Sequence, residues 1–357
     1  MVVQGIHEIQ ELLRGYDPSN VFNMDETSLF YRLQPNQTLA TKTQKGFVKD
    51  KERVTLALCC NADGSMKMKP IIIGKYANPR CFKSINKENL GIHYYSNKTA
   101  WMTAIIFQDW LRQFDSQMRG LNKKVALLLD NAPSHIFEQV TLTNTQVILL
   151  PANTTSKLQP LDAGIIHSFK CHYRQLFIRY IIDGIRNQEN SKLDILGAIN
   201  FATRAWSLCS TRDHRELLRA YSGAPNTSLG CTEGYKRPPQ KKKASEDLMN
   251  LSELMNSLEV DANAEEYSTV DDNFIPEIES ESVSESESVE IDDSNEVTRI
   301  TSSELAESLK KVHTWLLQQE TNLSEEVVAF MDMRKKIELH LESTKKQRSI
   351  KDFFTAQ

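Results

Sequence analysis

Five unbroken apolar residues, VALLL at 125–129, stop at Asp130. A run this short reads as a central strand rather than a helix, which commits the chain to a sheet built around it. A second such segment lies near the start, where VFNMD at 21–25 continues through ETSLFYRLQ. ERVTLALCC at 52–60 is a strand rich in β-branched and apolar side chains, and NADG at 61–64 turns the chain. MKMKPIII at 66–73 is a third strand whose Pro70 argues for an edge or irregular portion, and GIHYYS at 91–96 is a short further strand or a loop. Three antiparallel strands joined by short turns are predicted.

The pattern then changes. Ile105, Ile106, Trp110, Leu111 and Phe114 recur every three to four residues, which predicts a helix from about Met102 to Met118. Beyond DNAPSH a short helix is predicted over 134–140, a strand at VILLPA, 147–152, and a long helix from near Pro160 to about Asp183. The order βββ-α-β-α-β-α predicts an α/β fold in which helices pack against a mixed sheet.

The 40% hydrophobic fraction supports a substantial core, and 357 residues suit one domain of about 200 to 250 residues plus appendages. Residues 261–300 carry 14 Asp or Glu against Arg299 alone, so the total of minus 4 conceals a remainder of plus 9. A basic body suits a polyanionic partner. Residues 256–296, acidic and serine-rich with few aromatics, are predicted to be disordered by self-repulsion and lack of core material. In KRPPQKKK at 236–243, Lys236, Arg237, Lys241, Lys242 and Lys243 form a basic run that reads as a nuclear-targeting signal or as solubilising charge. Residues 302–345 are predicted to form one or two helices, with Leu305, Leu309, Val312 and Leu316 on one face and Val328, Met331 and Leu339 partly continuing it. The pattern is too short and irregular for a coiled coil. Six cysteines without a CxxC pair suggest neither a zinc knuckle nor a disulfide framework and fit a reduced intracellular protein. With no apolar run near 18 residues and no charged segment leading into an apolar core at the start, neither a membrane span nor a secretory signal is expected.

Asp25 and Asp130 each end an apolar strand, where a charge escapes burial yet can converge with another at one sheet edge; if their strands are adjacent and parallel, the two meet over one metal site. By itself, either reads as the start of a turn. Asp162, in LPANTTSKLQPLDAGII, falls in the first turn of the predicted long helix, where unpaired N–H groups favour an anion with or without catalysis. Glu26 points to the opposite face of a regular strand from Asp25 and reads as structural or solvent-facing. Asn131 either orients a ligand or holds the turn, and His135 either touches a phosphate or metal-bound water or starts a helix. Lys157 is a DNA-phosphate contact or an ordinary exposed lysine.

Taken together, VFNMDETSLFYR at 21–32, ALLLDNAPSH at 126–135 and ILLPANTTSKLQPLDAGII at 148–166, with GFVKDKERVTLALCCNADG at 46–64, resemble the DDE endonuclease domain of pogo-like transposases, including the Tigger and Jerky-related proteins. The resemblance covers roughly residues 15–220. It implies an RNase H-like fold, Asp25, Asp130 and Asp162 as the metal-binding triad, and Mg²⁺, with Mn²⁺ as the other ion of that kind. The implied chemistry is metal-assisted phosphodiester hydrolysis and strand transfer, in which two ions about 4 Å apart activate a water or a DNA 3′-hydroxyl and stabilise the leaving oxygen. The family joins this domain to a pair of N-terminal helix-turn-helix modules, and the 24 residues before Asp25 are too few for them. A fragment, a truncated product, or a protein that no longer recognises DNA in that manner is therefore expected.

The resulting organisation is a catalytic domain at 15–222, a disordered basic then acidic linker at 223–300, a helical tail at 301–346 and a short motif at 347–354. In that motif, QRSIKDFF, the spacing of Gln347, Ile350, Phe353 and Phe354 resembles a PCNA-interacting peptide: a 3₁₀ turn would gather Ile350, Phe353 and Phe354 to plug an apolar pocket while Gln347 makes polar contacts at its rim. The implied function is a DNA endonuclease or transposase in the nucleus, with DNA as partner, the sliding clamp as a further one, a homodimer left open and no membrane. Two other readings stand beside it: a domesticated nuclear, DNA-associated interaction protein whose DDE core survives as a weak or inactive scaffold, and an RNase H-like exonuclease acting on RNA. The DET, DNAPSH and LDAG contexts favour the transposase family.

Overall fold

Among the described residues six strands are formed: β1 (Val21–Phe30), β2 (Arg53–Asn61), β3 (Ile71–Gly74), β4 (His93–Ser96), β5 (Val125–Leu129) and β6 (Thr145–Leu149). They make one sheet in the order β4-β3-β2-β1-β5-β6. β1 is the hub. It pairs antiparallel with β2 without interruption from Phe22↔Asn61 to Phe30↔Arg53, and parallel with β5 only from Val21↔Ala126 to Asn23↔Leu128. β2 and β3 complete the antiparallel meander, while β4 runs parallel to β3 and β6 parallel to β5. An antiparallel meander joined through its first strand to parallel strands makes this a mixed sheet, as the strand and helix order predicts. The computed structural model describes residues 2–35, 52–151, 159, 161–188, 192–209, 243–258, 262–272, 292, 294–319 and 323–344.

Helices cover both faces. Helix α1 (Val2–Leu12) precedes the sheet, and α2 (Ala104–Gly120) starts where the Thr103 hydroxyl accepts the Ile106 N–H. Through Ile106, Phe107, Trp110, Leu111, Phe114 and Met118, α2 packs on Phe22, Met24, Ala57, Cys59, Ile71, Ile73 and the odd residues of β5. Ile105, expected in the same stripe, faces solvent. The other face carries α3 (Ile166–Arg186), flanked by α4 (Ile195–Leu208), whose first turn the Asp194 side chain caps at Gly197 N–H. With both faces covered, all five residues of β5 are buried, which is why its sequence shows no alternation.

Three expectations change. The segment 134–140 forms turns rather than a helix, closed by His135 N–H to Ala132 O at 2.9 Å and Val140 N–H to Phe137 O at 2.8 Å. Val140 and Phe137 anchor in the α2 core, and this packing overrides local helical preference. β3 begins at Ile71, with Lys67 touching Cys60 in an isolated bridge, because Pro70 has no N–H to continue the ladder. Among the described residues of the stretch expected as linker, 223–300, two helices form, α5 (Lys243–Ser257) and α6 (Ala264–Thr269), and they join the body. Leu251 and Met255 of α5 bury against Ile178 of α3 together with Tyr267 of α6. The basic run at 236–242 and the acidic residues 273–291 lie outside the described residues.

What draws α6 in is charge. Arg174 of α3 is wholly buried, donates to Phe30 O at 2.8 Å, pairs with Asp271 at 2.7 Å and lies 4.9 Å from the centre of the Tyr267 ring. The other Asp271 oxygen accepts the Phe30 N–H at 2.8 Å, and its main-chain oxygen accepts the Ser28 hydroxyl at 2.8 Å. Composition averaged over the acidic stretch does not reveal that one of its aspartates has a buried arginine waiting for it. A separate unit spans Val297–Gln357, where α7 (Ser302–Leu317), opened by a Thr301–Glu304 capping box, and α8 (Ser324–Thr344) are the two described helices. Among the described residues no helix is long and apolar enough to cross a membrane.

Replacing Asp271 by Ala would strand a buried guanidinium. We expect a loss of about 3–5 kcal/mol in unfolding free energy, read as a lower urea midpoint. An unchanged midpoint would show that residues 262–272 do not hold the body together.

Candidate active site

The register of β1 and β5 puts two acids side by side. Their parallel pairing ends at Asn23↔Leu128, and Asp25 and Asp130 each lie two residues further on, Asp25 in a strand that continues beside β2 and Asp130 where β5 stops. The two carboxylates therefore meet at one edge of the sheet, as adjacent parallel strands require. Asp162 comes from the other side, in a π-type turn, Leu161–Ile165, kinked at Gly164 and running into α3. It falls in the first turn of this helical segment, as the sequence predicts.

A neutral side chain ties the three acid-bearing segments together. Asn23, fully buried on β1, donates to Leu128 O of β5 at 3.0 Å and to the Gln159 side-chain oxygen at 2.7 Å, and its own oxygen accepts the Leu161 N–H at 3.0 Å. Gln159, also buried, donates to Met24 O at 3.2 Å. Sequence reasoning missed both residues. Their only signal was a polar residue inside an apolar run, Asn23 in VFNMD and Gln159 in KLQPL.

The electrostatics are strained. Burial pushes the Asp25 carboxyl well above the ordinary carboxylate range, and the charges of Asp162, Glu26 and Asp130 push it further. Its Oδ1 accepts the Glu26 N–H at 2.9 Å, but Oδ2 is buried with no hydrogen-bond partner. Water reaches Asp162, yet the surrounding protein strips enough hydration from it to raise its carboxyl as well; a hydrogen bond with the Asp25 side chain and the charge of Lys170 oppose the rise, while Asp272 and Asp130 add to it. Lys170, buried on α3, is bonded to Asp272.

Behind this edge sits His135. Its Nδ1 is 2.8 Å from Asp130 Oδ1 and its Nε2 is 2.9 Å from Glu26 Oε1, while the ring packs 4.7 Å from Phe107. Burial alone would lower its pKa, but the bonds to Asp130 and Glu26 outweigh that and push it up to about 10. Among the described residues, Glu26, Asp130 and His135 are the one set of three whose ligand atoms all lie within 4.8 Å of one another; Asp25, Asp130 and Asp162 form a wider set. Glu26 does point away from Asp25, as strand alternation predicts, but toward a partner rather than into solvent. Asn131 is exposed at the turn after Asp130. Lys157 and the motif residues Gln347, Ile350, Phe353 and Phe354 lie outside the described residues.

Residues 51–215 match the DDE superfamily endonuclease family, a span that holds Asp130 and Asp162 but not Asp25. The chain is similar to CENP-B homolog protein 2 of Schizosaccharomyces pombe, 38% identical over 58% of this chain and 43% of the relative. It is also similar to mouse Tigger transposable element-derived protein 4, 35% identical over 54% of this chain and 38% of the relative. The chain thus spans about two fifths of the length of these relatives. Among solved structures, the catalytic domain of Mos1 mariner transposase aligns with 61% of this chain and 92% of its own, at 12% identity and a TM-score of 0.30.

Asp25→Asn removes a buried charge that the Gln159 side chain offsets only in part in metal-free protein, so in chelator near neutral pH it is expected to raise the melting temperature by about 2–4 °C, the equivalent of about 1 kcal/mol. The sign follows from linkage. The folded state holds the Asp25 proton more tightly than the unfolded chain, so metal-free wild type gains stability as pH falls from the raised folded value toward the ordinary 3.8, and loses it as pH rises through that window. A melting temperature lowered by the substitution would show that Asp25 is compensated after all.

Proposed function

From the premise that this chain carries a DDE superfamily endonuclease domain of the pogo-like kind, we propose that Asp25, Asp130 and Asp162 hold divalent metal ions, Mg²⁺ or Mn²⁺, and that the protein breaks DNA phosphodiester bonds by hydrolysis, with strand transfer as the companion reaction. The observation that carries this is the Asp25 carboxylate. A buried oxygen with no donor, crowded by two further acids, is costly unless a cation joins it. An all-carboxylate donor set at a partly open sheet edge suits a hard cation that keeps room for water and phosphate oxygens. When bound there, such an ion supplies Lewis-acid stabilisation of charge at phosphorus and lowers the pKa of an attacking water.

The chain's own residues do the rest. Asn23 and Gln159 hold the Asp162 turn against β1, and the bonds to Asp130 Oδ1 from His135 and the Ala132 N–H keep that carboxylate from rotating. Asn131, exposed beside Asp130, and Lys157 are the residues proposed to meet the substrate, Lys157 through a phosphate.

A second reading has its own support. Relatives include the human major centromere autoantigen B, whose name is that of a centromere antigen rather than a nuclease, which suits a non-catalytic, DNA-associated scaffold. Nicking of supercoiled DNA separates the two. The endonuclease reading expects Mg²⁺- or Mn²⁺-dependent product that disappears in Asp25→Asn, Asp130→Asn and Asp162→Asn while each variant stays folded; product persisting in all three would defeat the triad, and none from wild type favours the scaffold.

A nuclear location follows from a DNA substrate and from the basic run at 236–243, and clamp binding from Gln347, Ile350, Phe353 and Phe354. Homodimer formation is a further proposal, tested by the molar mass of the purified chain in light scattering. A tagged chain is expected to enter nuclei, and a peptide covering 343–357 to bind PCNA in calorimetry with a Kd of about 1 μM or tighter. Nuclear exclusion would overturn the first. Absence of saturable binding, or binding unaffected by alanine at Ile350, Phe353 and Phe354, would overturn the second.

A further inference from the structure

Asp25 and Glu26 are consecutive on a strand whose register with β2 is unbroken, Asp25 opposite Leu58 and Glu26 opposite Ala57. Strand alternation sends their side chains to opposite faces of the sheet. Asp25 turns to the α3 face with the other acids. Glu26 continues the line of Phe22 and Met24 on the α2 face, where Phe107 supports the ring of His135. Both ring nitrogens of His135 face acceptors, so the ring donates from Nε2 to Glu26 and from Nδ1 to Asp130, and only 1% of its side chain is exposed. A side chain bonded at both ends and stacked on a third group has little rotational freedom.

The bond at Asp130 is also selective. Nδ1 and the Ala132 N–H, at 2.8 and 3.2 Å, both address Oδ1, and no described residue donates to Oδ2. Two donors on one oxygen fix how the carboxylate is turned and leave the other oxygen for a ligand. Remove the far anchor and the imidazole keeps only its contacts to Asp130 and Phe107, so the ring can swing and take Oδ1 with it.

We propose that Glu26 is a positioning residue: from the far face of β1 it holds His135, which in turn holds the Asp130 carboxylate in the orientation that binds metal. This rests on the reading of Asp130 as a metal ligand given above. One dipeptide of β1 then serves two of the three carboxylates, Asp25 directly and Asp130 through the imidazole. Glu26 acts through reach and hydrogen bonding, not through its charge on the ion.

The test separates reach from charge. Glu26→Gln keeps the length and an acceptor oxygen but loses the charge, whereas Glu26→Asp keeps the charge and falls short of His135. Mn²⁺ is titrated into the purified full chain, with the free ion read by electron paramagnetic resonance. Wild type and E26Q are expected to bind within about twofold of each other, and E26D about 10-fold or more weakly, the range for losing a group that orients a metal ligand. In chelator, E26Q should melt with wild type and E26D somewhat lower, because it leaves Nε2 of His135 without an acceptor, while every variant stays folded at the temperature of the titration so that the affinities are those of folded protein. Glu26→Ala supplies the shortened arm should E26D fail to fold. Wild-type-like binding by the shortened variant overturns the proposal while leaving the metal reading intact. Affinity that follows charge instead, with E26Q weak and E26D normal, also overturns it and makes Glu26 a ligand of the ion. If wild type binds no Mn²⁺, the metal reading itself falls and this inference falls with it.

Discussion

Three carboxylates gathered at one sheet edge repel one another, and the fold keeps them together through a neutral residue, Asn23. Its amide reaches β5, Gln159 and the turn that carries Asp162, so the segments bearing Asp25, Asp130 and Asp162 cannot separate without breaking buried hydrogen bonds. Leaving such donors and acceptors unmet costs about 1–3 kcal/mol each, which opposes the mutual repulsion that adds to burial in raising the Asp25 carboxyl. An amide suits this junction because it offers both donors and an acceptor while adding no charge to an overcharged place.

β1 works on both faces for the same reason that any strand does. Its alternation gives Asp25 to the α3 side and Glu26 to the α2 side, and the point where β5 stops lets His135 reach between Glu26 and Asp130. The turns at 134–140 follow from this arrangement. A regular helix there would have to give up His135's bonds or the burial of Val140. A locally helical pattern thus yields to side chains whose partners lie far away in sequence.

The body also reaches further along the chain than its apolar patterning. Arg174 and Lys170, buried on α3, need anions, and Asp271 and Asp272 provide them from just past α6. These ion pairs explain why an acidic stretch contributes to the core at one point. They also bring two more charges close to Asp162, where Lys170 and Asp272 act in opposite senses.

Much of the fold was legible because it is written in short-range patterns. Apolar runs gave β1, β2, β5 and β6, and the three-to-four spacing gave α2; of the acids expected at strand ends, Asp130 does follow the last residue of β5, whereas Asp25 lies inside β1, and Asp162 came from the motif resemblance. α4 and α6 carried no comparable signal, and the length of α3 was anticipated better than its π-type start. Asn23, Gln159 and the Glu26–His135 bond could not be read, since each depends on segments about 100 residues or more apart in sequence coming within hydrogen-bond distance. The sequence by itself determined which segments form the main strands and that Asp130 follows the last residue of β5, because period and polarity are local properties; Asp25, expected at a strand end, lies inside β1, because pairing with β2 carries that strand on to Phe30. Only the tertiary structure decided which polar side chains share a buried space, because that depends on where the sheet and its helices bring distant residues together and on the cost of leaving any of them unpaired there.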